Sequence, residues 1–151
     1  MLGKMLVALG LSLILLATLM GCGGSPAGDG EPAGETSLQV TGNVENEMTW
    51  TEEEVRSMDT IESQRENNEG ELSTYTGVPI EALLEEAGVP NDATTVTFVA
   101  EDDYTADVEL AEVMACNDCI VSFRNQGGFS IVMPGYSGKL QVKGVVEIQV
   151  E

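Results

Sequence analysis

Tyr75-Thr76-Gly77-Val78-Pro79-Ile80-Glu81-Ala82-Leu83-Leu84-Glu85-Glu86-Ala87-Gly88 is the stretch from which the fold is read. Its second part, Pro79 to Ala87, is the clearest helix in the chain. A proline stands at its start, where the missing N–H costs nothing. Ile80, Leu83, Leu84 and Ala87 share one face, and Gly88 is placed to stop the helix. Leu72 to Tyr75 reads as a strand leading into it, so the segment is strand, turn and helix.

The neighbouring segments extend this pattern in both directions. Leu38 to Val44 alternates as a half-buried strand does. Thr51-Glu52-Glu53-Glu54 has the spacing of a capping box and opens a short helix through Val55 and Met58. Asp59 to Ser63 is a strand candidate, followed by a very polar loop from Gln64 to Glu71. Thr94 to Ala100 is the strongest strand, with a turn at Glu101-Asp102-Asp103, a strand at Thr105 to Val108 and a short helix at Leu110 to Met114. Ile120 to Phe123 and Phe129 to Met133 form a hairpin across Asn125-Gln126-Gly127-Gly128. Lys139 to Val142 and Val145 to Val150 close the chain as strands. Strands outnumber helices without strict alternation, so the class is α+β with a mixed or mainly antiparallel sheet.

Composition excludes much. The 151 residues carry 26 Asp plus Glu against 6 Lys plus Arg, a net charge of −20, and no histidine. Nucleic acid is not a partner for such a chain, because neutralising phosphates takes a basic face. Without histidine there is no Ser-His-Asp or Cys-His pair and no His-ligated metal. With so many acids, pairs such as Asp102-Asp103 arise by chance and read as solvated surface, not as a glycosidase dyad or a calcium site.

Met1 to Met20 reads as an export signal, with Lys4 as its positive end and an apolar run from Leu6 to Leu16 that Gly10 and Ser12 interrupt. Leu19-Met20-Gly21-Cys22 follows and resembles the lipobox of bacterial lipoproteins. That resemblance implies cleavage after residue 21, lipidation at Cys22, and an extracytoplasmic domain anchored to a membrane through its lipid. Residues 22–37 are then the lipidated cysteine and a Gly-, Pro- and Ala-rich linker with an end-to-end distance of about 20 Å. Residues 38–151 are the folded domain.

Three motifs in order resemble one family. Tyr75 to Gly88 is similar to the aromatic-x-Gly-Val-Pro-Leu-x-x-Leu-Leu-x-x-Ala-Gly segment of the oxidoreductase molybdopterin-binding domain, the sulfite-oxidase-type fold. Val96-Thr97-Phe98-Val99-Ala100-Glu101-Asp102-Asp103-Tyr104 resembles that family's strand ending in Asp-Gly-Tyr. Ile131 to Ile148, with Pro134-Gly135-Tyr136 and Val142-Lys143, resembles its closing segment. The resemblance implies a molybdopterin cofactor and oxidoreductase chemistry. In members that hold molybdenum a cysteine thiolate, following the strand ahead of Gly-Val-Pro, ligates the metal. Ser63 stands there in this chain, and a hydroxyl with a pKa far above 7 is a poor substitute for a soft thiolate. The cofactor-binding candidates are Ser63, Arg65, Lys139, Lys143, and the backbone amides around Gly135 and Gly138. For the two lysines, ordinary solubility on a strand edge is the competing reading.

Cys116-Asn117-Asp118-Cys119 leaves two cysteines after Cys22 takes its lipid. Further ligands for zinc are missing. In an oxidising compartment the pair is expected as a disulfide bracing a turn, with a redox-active pair as the alternative. Three functions therefore stand side by side. The first is a lipid-tethered binding or accessory module of redox metabolism that kept the fold and lost the metal thiolate, with a redox protein as an open partner. The second is an active molybdopterin-dependent oxidoreductase, and the third a thiol-redox lipoprotein working through Cys116 and Cys119.

Overall fold

The computed structural model describes residues 36–151; the signal segment, Cys22 and the linker up to Glu35 lie outside the described residues. The strands are β1 (Ser37–Gly42), β2 (Met48–Thr51), β3 (Ile61–Glu66), β4 (Leu72–Pro79), β5 (Thr95–Ala100), β6 (Thr105–Glu109), β7 (Ile120–Phe123), β8 (Phe129–Val132) and β9 (Lys143–Val150). Three short helices join them: α1 (Glu52–Ser57), α2 (Ile80–Ala87) and α3 (Leu110–Met114). The class is α+β with a mixed sheet, as the sequence suggests, and among the described residues the one parallel pair is β1 with β9.

The strands run in the order β2-β1-β9-β8-β7-β4-β3, and the β5–β6 hairpin branches from β9. Val145 of β9 faces Ala100 of β5 on one side and Phe129 of β8 on the other. Farther along, the β8 edge is taken over by β1. Three strands thus meet on β9, and their apolar faces close on one core that includes Leu38, Trp50, Phe98, Phe129, Met133 and Ile148.

The clearest sequence signals become the best-formed elements. Ile80, Leu83, Leu84 and Ala87 of α2 are buried, and Gly88 ends the helix at φ 74°, its N–H donating to the Leu84 and Glu85 carbonyls. The capping box on α1 is complete: the Glu54 N–H donates to Thr51 Oγ1 (3.3 Å) and the Thr51 N–H to Glu54 Oε2 (2.8 Å).

Three expectations need correction. The segment from Lys139 to Val142 is not a strand but begins in a 3-10 turn, Gly138–Leu140. The Gln141 side chain does the work of a ladder there, accepting from the Met133 N–H (3.0 Å) and donating to the Met133 carbonyl (2.6 Å). The polar stretch from Gln64 is strand as far as Glu66, so the loop is only Asn67 to Glu71. The third correction is β2, which pairs antiparallel with β1 and was not expected as a strand.

The join between β4 and β7 depends on one glycine. β4 pairs with β3 from Leu72 to Gly77, but with β7 only from Gly77 to Pro79. A Cβ on Gly77 would lie 2.7 Å from Ser122 Cα and collide with the Val121 carbonyl. The backbones therefore approach as only glycine permits. Just beyond, the Ile80 N–H donates to the Cys119 carbonyl (3.0 Å), which sets the start of α2.

Glu52 fastens α1 to the β7–β8 hairpin. Its N–H donates to the Thr36 carbonyl (3.0 Å), and its carboxylate accepts from the Gly128 N–H (2.9 Å) and from Arg56 (2.6 and 2.9 Å). The Gly128 N–H above all, aided by Arg56, holds the Glu52 carboxyl below its ordinary range against the opposing effect of partial burial.

Two outcomes are expected. Gly77→Ala overpacks the β4–β7 join and should lower stability by about 1–3 kcal/mol, read as a lower urea midpoint by fluorescence of Trp50, the chain's one tryptophan. An unchanged midpoint would show that the join yields. Because the Glu52 pKa is lowered on folding, its contribution is fully present above the ordinary value of 4.5 and is lost as pH falls through the lower folded value. The stability gap between wild type and Glu52→Gln should therefore be widest near neutrality and close in acid; a gap independent of pH would remove the carboxylate from this role.

Candidate functional site

Beyond Gly77 the strands part, and a groove of about 750 Å³ opens between them. One wall is Thr74, Tyr75 and Thr76 of β4. The other is the turn-side end of the β7–β8 hairpin, from Ser122 to Gln126 with Ser130, and Arg56, Thr60 and Lys143 complete the lining. Two antiparallel ladders and the β8–β9 pairing place Gly77, Ser122, Ser130 and Lys143 in one row across the sheet. Residues opposite one another in antiparallel ladders project to the same face. The Ser122 hydroxyl in this row donates to the Ser130 carbonyl (3.1 Å).

The groove is cationic in a chain that is almost everywhere acidic. Of the six cationic side chains, Lys4 lies outside the described residues, and three of the other five (Arg56, Arg124 and Lys143) line this one groove. Arg56 is held by Glu52 and lies over the Phe123 ring, 4.3 Å from its centroid. Arg124 is paired with Glu101 at 3.2 Å. Lys143 makes no ion pair among the described residues, so its charge is the one most open to a ligand.

The residues singled out from the sequence are distributed over more than this groove. Lys143 lines it. Ser63 lies on β3 opposite Tyr75, 2% exposed and off the groove surface. Arg65 is two residues farther toward the hairpin loop, opposite Ser73. Lys139 and Gly138 are in the 3-10 turn, where the Lys139 carbonyl accepts from the Tyr104 hydroxyl (3.0 Å), and Gly135 is in the turn after β8. Arg56 and Arg124 were not singled out, although the scarcity of cations would have marked them: where acids outnumber bases 26 to 6, every cation is informative.

Among the described residues, Ser63 Oγ is the one buried side-chain polar atom without a hydrogen-bond partner. Leaving such a group unsatisfied costs about 1–3 kcal/mol. Cys116 and Cys119 do not replace it. They are joined in a disulfide between α3 and β7, with Cys119 wholly buried. The backbone at Cys119 and Ile120 meets Ile80 at the start of α2 and Pro79 at the end of β4, four or more residues from Tyr75, roughly 13 Å along a strand. Asp118 Oδ1 lies 3.3 Å from Cys116 Sγ, but a disulfide sulfur has no proton to donate, so this is a close approach and no hydrogen bond. Among the described residues this position therefore offers a buried hydroxyl with no thiol beside it, so it does not supply the thiolate that the family resemblance calls for.

The comparisons with known proteins agree with this architecture. The model of the oxidoreductase molybdopterin-binding domain matches residues 26–151. Among solved structures, the sulfane dehydrogenase SoxCD from Paracoccus pantotrophus is similar in fold, with a TM-score of 0.65 and 20% identity, over 76% of this chain and 37% of that one. None of the curated proteins matches. The chain thus spans little more than a third of that structure, and at such identity the likeness speaks for the fold alone. The match over residues 26–151 and the sheet built around Gly77 place this chain in the oxidoreductase molybdopterin-binding domain family.

Proposed function

We propose that this protein is a lipid-anchored, extracytoplasmic binding module that keeps the molybdopterin-binding fold without its metal chemistry and serves redox metabolism as an accessory. The observation that carries this reading is Ser63: a buried, unpartnered hydroxyl at the position where metal-holding relatives supply a thiolate. The groove beside it offers three cations and several hydroxyls, which suit recognition of an anionic ligand. Among the described residues it offers no sulfur, and the chain has no histidine. The burial of Cys119, with Cys116 only 8% exposed, favours a structural brace over a redox couple, because thiol–disulfide exchange needs access to a sulfur. Anchoring rests on the Leu19-Met20-Gly21-Cys22 box and on the length of linker behind it.

Protein purified from its native host should contain far less than one molybdenum per chain by elemental analysis, and no pterin fluorescence after oxidation. Stoichiometric metal would restore the active enzyme. Cys22→Ala should abolish membrane fractionation and change migration on a gel. A mutant that fractionates as wild type does would remove the lipid anchor from this reading.

A further inference from the structure

Each β-strand has two hydrogen-bonding edges, and the inner edge of β4 is half empty. Gly77 pairs with Ile61 on one side and Ser122 on the other, so β3 and β7 occupy opposite edges of β4. Among the described residues, only the β3 side is filled from Leu72 to Thr76, and no backbone hydrogen bond outside the ladder reaches this stretch. Thr74, Tyr75 and Thr76 of the free edge are themselves the groove wall.

The two open edges of the β3–β4 hairpin are not protected alike. β3 carries Glu62, Arg65 and Glu66, the charged dressing that keeps exposed strands from pairing. Leu72-Ser73-Thr74-Tyr75-Thr76 carries no charge and no proline, is rich in residues that favour strands, and leaves Leu72 71% exposed. The length left open is roughly 17 Å. We propose that this seam between β4 and β7 receives an extended, acidic segment of a partner protein, which adds as a strand to Leu72–Thr76 and sets its carboxylates against Arg56, Arg124 and Lys143. The proposal deepens the reading of this domain as a binding module and rests on it.

Main-chain pairing would supply the affinity, and the cations the choice of partner. The chain's net charge of −20 does not forbid an acidic occupant, because at physiological salt charges more than about 8 Å away are screened, and the three groove cations outnumber the two acids, Glu52 and Glu101, that are paired with them. A second copy of this chain is a poorer occupant, since the open edge it would offer, β3, carries Arg65 among its acids and would bring a cation against the groove's own.

The experiment uses full-length protein in detergent micelles, with its molybdenum and pterin content measured on the same sample. Three capped peptide probes are titrated: Thr-Glu-Val-Glu-Thr-Glu-Val, its lysine counterpart, and the acidic peptide with alternate backbone nitrogens methylated. Fluorescence anisotropy reads binding, and hydrogen–deuterium exchange reads protection. We expect the acidic probe to bind, to weaken with salt, and to slow exchange in Leu72–Thr76. The lysine and N-methylated probes should each bind at least tenfold more weakly, and Lys143→Glu should weaken the acidic probe without loss of fold. Equal binding of the N-methylated probe, displacement by millimolar inorganic phosphate alone, or probe-independent dimers by sedimentation would overturn strand addition. Metal-free protein that binds no probe overturns this proposal only. Metal-loaded protein overturns the binding-module reading, whether or not it binds the probe.

Discussion

The functional side of this fold depends on the close approach of two backbones at Gly77. With no Cβ, β4 lies against the Val121 carbonyl and joins β7 for the three residues from Gly77 to Pro79. Beyond that join β7 stays with β8 and β4 stays with β3, and each pair keeps its own right-handed twist. Two twisted ribbons pinned together at one end diverge at the other. The groove is the space between them. A bulkier residue at position 77 would disturb the β4–β7 join, the start of α2 and the mouth of the groove together.

Charge is arranged around that space with the same economy. A chain with 26 acids repels itself, and its few cations could have been spread to relieve that. Instead Arg56 and Arg124 are anchored on the groove's outer wall by Glu52 and Glu101. Those acids neutralise part of the local charge, but they also fix where the guanidinium groups sit, and Arg56 keeps one face on Phe123. Exposed ion pairs of this kind add little stability, about 0–1 kcal/mol. Their consequence here is positional: a ligand meets guanidinium groups already held in place, so less side-chain freedom is lost on binding.

How much of this was legible depended on which force holds each element. Where burial holds it, the sequence shows it: the 3.6-residue spacing of Ile80, Leu83, Leu84 and Ala87, and the alternation of Thr95–Ala100, place α2 and β5 within a residue or two. β3 has no such signal, because its single buried side chain is Ser63 and its partner strand supplies the hydrogen bonds. The reading of Lys139 to Val142 as strand failed for a related reason. The Gln141 amide takes the ladder's place at Met133, a substitution that no periodicity reveals. The family motif located Ser63, but neither its burial nor its unpartnered hydroxyl can be read from one dimension. Lys143 was found through the closing motif, whereas Arg56 and Arg124 belong to no motif and reach the groove through pairings distant in sequence.

The two ends of β7 complete the physical picture. At its start, Cys119 is buried and disulfide-bonded, its carbonyl accepts the first N–H of α2, and Ile120 lies between Pro79 and Val132. At its end, among the described residues Phe123 pairs in the ladder with Phe129 alone, and the chain turns away through Arg124 to Gly128. Local openings have free energies that fall from the core toward weakly paired segments, so this strand is firm at the disulfide and loosest at the groove. A ligand that bridges β4 and the β7–β8 turn would therefore act on the compliant end alone. The firm end, held by the pairing of Ile120 on both sides, the Cys119 carbonyl and the disulfide together, keeps the opposing wall in register.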